Sequence, residues 1–392
     1  MKRLTSLLLC AALLVCVLAG CGDGSGDPAP SPSNVTEDFD ATPSPTVSLN
    51  PAMFGFHDYD RALASIPADT VMATVENAEP LLWEELFYWI HSYIEYMESG
   101  LGTVESWSRD IYEGTTYSDY FIAQALYDAM KNRMIESKAA ELGVEMDAEE
   151  QAAADATWNS FLEDQGGEAA AQVILDENYC TEWIYRYRIR CDRLETLLFE
   201  SQFGVYGMNV SDEDVLAYVA DDGYMMAKHI LLRTLDDNQL PYTTTAKAQQ
   251  EERAQEVLAK LDAYDGDDLE GYFDELIAEY NDDPGMTAYP VGYLFQDNQM
   301  VKEFEDAVKG LKEYEYSGIV ETAYGYHIIL RLPLNPDVTP LSYSGYSYPL
   351  RLIAATGMFS SLEEQWLQEL DVKNTDALNA LDLGILFGET DG

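Results

Sequence analysis

Apolar and polar positions alternate with period two in two short stretches of this chain. Along 326–332, Tyr326, Ile328, Leu330 and Leu332 fall on one side while His327, Ile329 and Arg331 fall on the other; along 226–232, His229 shares a side with Ala227 and Leu231. Period two predicts strands. If the two strands are neighbours in one sheet, two imidazoles meet on the same surface. A single histidine in an apolar run is ordinarily a satisfied core residue. This chain has only four histidines, so a pair 98 residues apart in matching strand contexts stands out.

Elsewhere the apolar period lengthens to that of helices. Residues 83–98 are dense in aromatics, and 117–142 carry Phe121, Leu126, Met130, Met134 and Ile135 at helical spacing. A turn at 143–147 leads into a helix over 148–162, and another is expected over 177–201. Ser211 is placed to cap a helix beginning before Val215. Further helices are expected over 249–261, 269–280 and 362–370, with a last segment at 376–387. The stretch from Pro333 to Pro349 is turn-rich. The aromatics Trp83, Phe87, Tyr88, Trp89, Tyr93 and Tyr96 read first as core, although an apolar groove is also what holding an unfolded chain requires.

The first residues change the picture. Lys2 and Arg3 precede a short apolar run, 4–17, and Leu18-Ala-Gly-Cys21 follows. The run is too short to span a bilayer stably. It reads as a lipoprotein signal peptide (1–20) with lipid on Cys21, or as an ordinary secretory signal with an incidental cysteine. From Cys21 to about residue 68 the chain is rich in Gly, Ser, Pro, Thr and Asp. Such a stretch buries too little apolar surface to offset its ordering entropy, so it is expected to be a flexible tether.

Net charge is −49, and loss of Lys2 and Arg3 with the leader takes it to −51. Electrostatics therefore oppose nucleic-acid binding. Solubility is the simple explanation of the charge; attraction of cationic exported chains is the functional one. Cys180 and Cys191 are the cysteines outside the leader and lipidation site. Inside one unbroken helix they would stand about 16 Å apart, beyond the roughly 7 Å that a disulfide allows, so they read as buried small hydrophobes. No zinc-spaced Cys/His set, P-loop or Gly-x-Ser-x-Gly elbow is present. The acidic run 262–268 lacks the alternation of an EF-hand. No metal or cofactor is expected.

Five separated blocks over about 224–334 resemble a parvulin peptidyl-prolyl isomerase domain. They are Met226-Ala-Lys-His-Ile-Leu-Leu232, where the first histidine ends an opening strand; the helices at 249–261 and 269–280 leading to Asn281-Asp-Asp283; Gly292-Tyr-Leu-Phe-Gln-Asp-Asn-Gln-Met-Val-Lys-Glu-Phe-Glu-Asp-Ala307; Tyr316-Ser-Gly-Ile-Val-Glu-Thr322; and Tyr324-Gly-Tyr-His-Ile-Ile329. The flanking helices resemble, in arrangement only, exported parvulin foldases of the PrsA and SurA type.

The resemblance implies an α+β architecture, with a four-stranded antiparallel sheet and surrounding helices inserted in a mostly helical chaperone lobe. That lobe would be built from 69–222 and 335–392, around an isomerase domain at 223–334. It implies catalytic roles for His229, His327, Thr322 and Asp283, and a proline cup of Met300, Phe304 and nearby Phe295. Asp283 also has the plainer reading of a solvated loop acid. Phospho-directed parvulins carry a basic cluster after the first strand. Here Arg233 is followed by Thr-Leu-Asp-Asp237, which argues against phosphate selectivity. Two departures matter. Ala288-Tyr-Pro-Val-Gly292 stands where parvulins usually carry a glycine pair, and Tyr324 stands where a small residue is frequent, so it narrows the site or stacks on substrate.

The expected activity is X-Pro isomerisation in unfolded or partly folded exported proteins, by a foldase lipid-anchored to the outer face of a Gram-positive type cytoplasmic membrane. A homodimer is compatible with this reading. The alternative is a non-catalytic chaperone with a degenerate parvulin domain. A solute-binding lipoprotein would need an α/β architecture that the pattern does not predict.

Overall fold

A computed structural model describes residues 57–101, 104, 106–341 and 348–389. The expected signal peptide, Cys21 and residues 21–56 of the tether lie outside the described residues. In chain order the elements are α1 (Tyr59–Ala64), β1 (Val71–Thr74), β2 (Leu81–Leu82), α2 (Trp83–Leu101), β3 (Asp110–Tyr112), β4 (Thr115–Thr116), α3 (Tyr117–Leu142), α4 (Ala148–Asp164), α5 (Glu168–Glu177) and α6 (Glu182–Phe203). A 3-10 turn at Val205–Gly207 precedes α7 (Asp212–Tyr218), β5 (Met225–Arg233), α8 (Thr244–Asp262), α9 (Leu269–Tyr280), α10 (Gly285–Ala288) and β6 (Tyr293–Phe295). The remainder comprises α11 (Lys302–Gly310), β7 (Val320–Glu321), β8 (Gly325–Leu332), α12 (Leu350–Glu369), β9 (Lys373–Asn374), α13 (Asp376–Asn379) and α14 (Leu383–Phe387).

The described residues form two compact units: those up to 137, within 155–189 and from 371 on make one, and those within 138–154 and 190–370 the other. The division falls inside α3, α4 and α6, so it groups residues differently from the stretches 69–222, 223–334 and 335–392 delimited by sequence.

In the first unit, the apolar stripe of α2 is buried through Trp83, Leu86, Phe87, Ile90 and Ile94, at the three- and four-residue spacing of one helix face. β1 pairs antiparallel with β2 and β9, which ties residues 373–374 to 73–74. A fully buried pair, Arg133 with Glu85, lies in the same unit, its remaining guanidinium donors met by the carbonyls of Glu79, Pro80 and Ala129. The tether expected to reach residue 68 is folded over its last part. Asp58 caps α1 by accepting from the Arg61 amide, and Ala62 is fully buried; a run short in apolar residues is ordered because α1 has α14 and α2 to pack on.

The second unit is built on one antiparallel sheet of order β6-β5-β8-β7. β5 and β8 pair over eight residues, with His229 opposite Ile329 and Leu231 opposite His327. One face carries Met226, Ile230, Leu232, Ile328, Leu330 and Leu332 against Ala254, Val257 and Leu261 of α8 and Phe273 and Leu276 of α9. Leu350, Ala354 and Ala355 of α12 join that core. The other face carries Met225, Ala227, Tyr293, Phe295 and Ile329 against Phe304 and Val308 of α11.

Several expected bounds change. His229 sits mid-strand, because β5 continues to Arg233 under the cover of β8. The helix expected over 177–201 is broken: α5 ends at Glu177 and α6 begins at Glu182, with Tyr179 in the left-handed region (φ 53°). Cys180 therefore lies before α6 and Cys191 within it, and both are buried. α12 starts twelve residues before the helix expected at 362–370, just after Pro349, which occupies its N-cap. The 376–387 segment divides into α13 and α14, capped by Thr375 and Asp382. No helix of the described residues is long and apolar enough to cross a membrane.

Candidate functional site

Antiparallel pairing turns the two alternating strands into a histidine pair. His229 and His327 share a face of the sheet and stand diagonally across the β5–β8 pair, two rungs apart, within reach of each other. Their Nδ1 atoms are 2.9 Å apart and their rings only 13° from parallel, so the contact lies near the ring planes. Both rings are buried.

Each outer nitrogen has its own partner. His229 Nε2 is 2.7 Å from Asp283 Oδ2, and His327 Nε2 is 2.8 Å from Thr322 Oγ1. The loop bearing Asp283 is held because it replaces a strand. Beyond Ala227, β6 no longer pairs with β5, and the freed groups of β5 bond instead to 281–282. Leu231 N–H donates to Asn281 Oδ1, Asp282 N–H donates to the Leu231 carbonyl, and Arg233 N–H donates to Asp282 Oδ2. Asn281 Nδ2 also donates to the Asp283 carbonyl. Thr322 is fixed by the turn into β8, where Tyr324 N–H donates to its hydroxyl oxygen.

Burial alone would raise the Asp283 carboxyl. The hydrogen bond and charge of His229, the Gly285 N–H and the Tyr293 hydroxyl outweigh it and hold the group down at about 2. Burial, reinforced by the neighbouring His229, lowers His327 to about 3 against the pull of Asp283. Near neutral pH, Asp283 is thus an anion that accepts from His229 Nε2–H, and His327 is neutral. With His229 also neutral, its bare Nδ1 accepts from His327 Nδ1–H, and His327 Nε2 accepts from the Thr322 hydroxyl. With His229 protonated, both bonds reverse. Asp283 receives Nε2–H either way.

Aromatic packing supplies the apolar side. Phe304 packs nearly perpendicular to both imidazoles, at 5.3 and 5.7 Å between centroids. Phe295 is fully buried one ring behind it, at 5.9 Å, and so backs Phe304 without reaching the surface. Met300 is half-buried against the same cluster and lies just before α11. Met300 and Phe304 are four residues apart but do not share a helix face, because α11 begins at Lys302. Tyr324 is 49% exposed, at the turn that holds Thr322.

A family model described as the PPIC-type PPIase (rotamase) domain matches residues 229–332. The chain carries a parvulin domain. The match opens at the first of the paired histidines and closes at the last residue of β8. The foldase protein PrsA of Halalkalibacterium halodurans is 32% identical over 202 residues, covering 50% of this chain and 47% of that protein. The PrsA of Geobacillus kaustophilus is 34% identical over 153 residues, or 38% of this chain and 44% of that one. The chain thus spans about half the length of the curated relatives it matches. A solved PrsA structure from Bacillus anthracis covers 62% of this chain and 94% of its own at 19% identity, with a TM-score of 0.24, a superposition too weak to argue from.

The sequence reading missed Tyr293, whose hydroxyl donates to Asp283 Oδ2 at 2.8 Å and whose ring lies 5.6 Å from that of His229. Period two could have found it, since Tyr293 and Phe295 are i and i+2 on one strand. Tyr289, 44% exposed, stands 5.3 Å outside Tyr293. The altered loop before β6 therefore puts aromatic side chains beside the parvulin site.

Proposed function

We propose that this protein is an extracytoplasmic foldase, anchored through lipid on Cys21, that isomerises X-Pro bonds in exported proteins. The observation that carries the reading is the unbroken chain Thr322–His327–His229–Asp283 lying against Phe304. Rotation about a peptide bond must overcome a barrier of about 18–20 kcal/mol set by amide resonance. A catalyst needs no nucleophile for this; it needs to bind the twisted amide better than the planar one. Phe304 and Met300 would receive the pyrrolidine ring, with Tyr324 at the rim. Buried around the imide, the histidine pair and its apolar surround would exclude the water that stabilises the planar carbonyl. Asp283 and Thr322 would hold the imidazoles in register while the amide turns, and the relay can reverse without moving a heavy atom.

The helical segments outside the parvulin domain would hold partly folded clients, and a chain of net charge −49 would draw cationic segments to it. The test is refolding of a denatured protein whose slow phase is a prolyl isomerisation. The full chain is expected to accelerate that phase, and His229→Ala to lose the acceleration while still suppressing aggregation. Equal slow phases with and without wild-type protein would instead leave a binding chaperone with a degenerate parvulin domain.

A further inference from the structure

Asp283 is held by more than the histidine. Its Oδ2 accepts from both His229 Nε2 at 2.7 Å and the Tyr293 hydroxyl at 2.8 Å, while Oδ1 accepts from Gly285 N–H at 2.9 Å. The approach of Tyr293 depends on a missing side chain. A Cβ at residue 285 would fall 1.7 Å from Tyr293 Oη and 3.1 Å from Asp283 Oδ2. We propose that Tyr293 is a positioning residue of the isomerase site, its hydroxyl seated in space left by Gly285 and locking the Asp283 carboxylate so that His229 keeps its proton on Nε2.

With one Oδ2 donor removed, a carboxylate on a loop can rotate about its χ2 torsion and release the imidazole; with two donors on one oxygen and a backbone donor on the other, it cannot. Burial and the adjacent Asp283 anion raise the Tyr293 hydroxyl, so it remains a donor at any working pH. The groups facing Asp283 are accounted for on every side: His229 from β5, His327 from β8, Tyr293 from β6 and the N–H of Gly285 from α10. α11 presents uncharged Phe304 to the histidines, and the neighbouring Asp282 is engaged by Arg253 and by the Arg233 amide. A tyrosine that merely filled the apolar cluster would leave the imidazole protons where they are.

This inference rests on the isomerase reading for its consequence but not for its test. The chain has four histidines, so full-length protein labelled with 15N-histidine gives few ring signals, which His229→Ala and His327→Ala assign. In the wild type, His229 should show a protonated Nε2 near neutral pH. Tyr293→Phe removes only the hydroxyl. Gly285→Ala displaces it by pushing the mobile end of Tyr293, while its own N–H still donates. Both variants should mix the two His229 proton positions, as should Asp283→Asn, and move the Asp283-linked titration seen at His229 up from about 2 towards the ordinary 3.8. Both should also lower kcat/KM for an X-Pro peptide by about tenfold, the scale of a lost bond to a charged group.

Folded Tyr293→Phe and Gly285→Ala proteins with unchanged His229 signals would overturn the proposal. If those signals move as expected while wild-type protein shows no isomerase activity, the Tyr293–Asp283 lock stands and the isomerase reading falls.

Discussion

At the scale of single residues, the site is governed by groups kept in the protonation state that burial and neighbours dictate. His327, lowered from 6.5 to about 3, stays neutral in the fold while the same side chain in an unfolded chain takes up a proton below 6.5. Between those values the unfolded state binds the extra proton, so folding stability rises with pH. The contribution is complete above about 6.5 and is lost as pH falls towards 3. Asp283, lowered from 3.8 to about 2, acts in the same sense in a more acidic window. His91, lowered to about 4 by burial, adds a slope of the same sign. Comparing wild type with His327→Gln therefore isolates one group: Tm should fall less steeply between pH 6.5 and 4 in the variant, and equal slopes would contradict the assignment. His229, His327, Thr322 and Asp283 were legible in the sequence because each sits in a recognisable block. Period two could have placed Tyr293 on the face of Phe295, but not its bond to Asp283, which depends on the space left by Gly285.

At the scale of elements, the two histidine-bearing strands of the nine described were read well and the ends of helices poorly. The alternation of 226–232 and 326–332 survives in the sheet because a one-residue slip would turn the whole apolar set to the wrong face. The bounds of helices depended on tertiary contacts that composition does not carry. α12 begins at Leu350 because Leu350, Ala354 and Ala355 are buried in the core, and α6 starts late because Tyr179 turns the chain left-handed. Lys228 is a case the pattern could not interpret. It lies on the apolar face of β5 with its side chain 3% exposed, and its ammonium is held by Glu270 and Asp274 of α9, themselves 37% and 48% exposed. Removing the lysine frees two acids that water can solvate, whereas removing the acids strands a buried cation. Lys228→Met should therefore change stability by about 1 kcal/mol or less, while Glu270→Gln with Asp274→Asn should cost about 3 kcal/mol. Equilibrium denaturation of the full chain decides between them, and the reverse order would refute this account of the pair.

At the scale of the whole molecule, the blocks between 224 and 334 were legible, and a family model matches 229–332 of them; the organisation around them was legible only in outline. The division into two units falls within α3, α4 and α6, and no shift of composition marks it, since a helix that contributes to two cores keeps its period throughout. The central claim is that this parvulin domain is a working catalyst with Asp283 and the histidine pair at its centre. The direct measurement is the exchange rate between cis and trans forms of a fluorinated-proline peptide, read by NMR with catalytic amounts of the full-length protein. The account predicts a clear acceleration by wild type that falls by about a hundredfold or more in Asp283→Ala and in His229→Ala; a wild-type rate equal to buffer, or variants as fast as wild type, would contradict it.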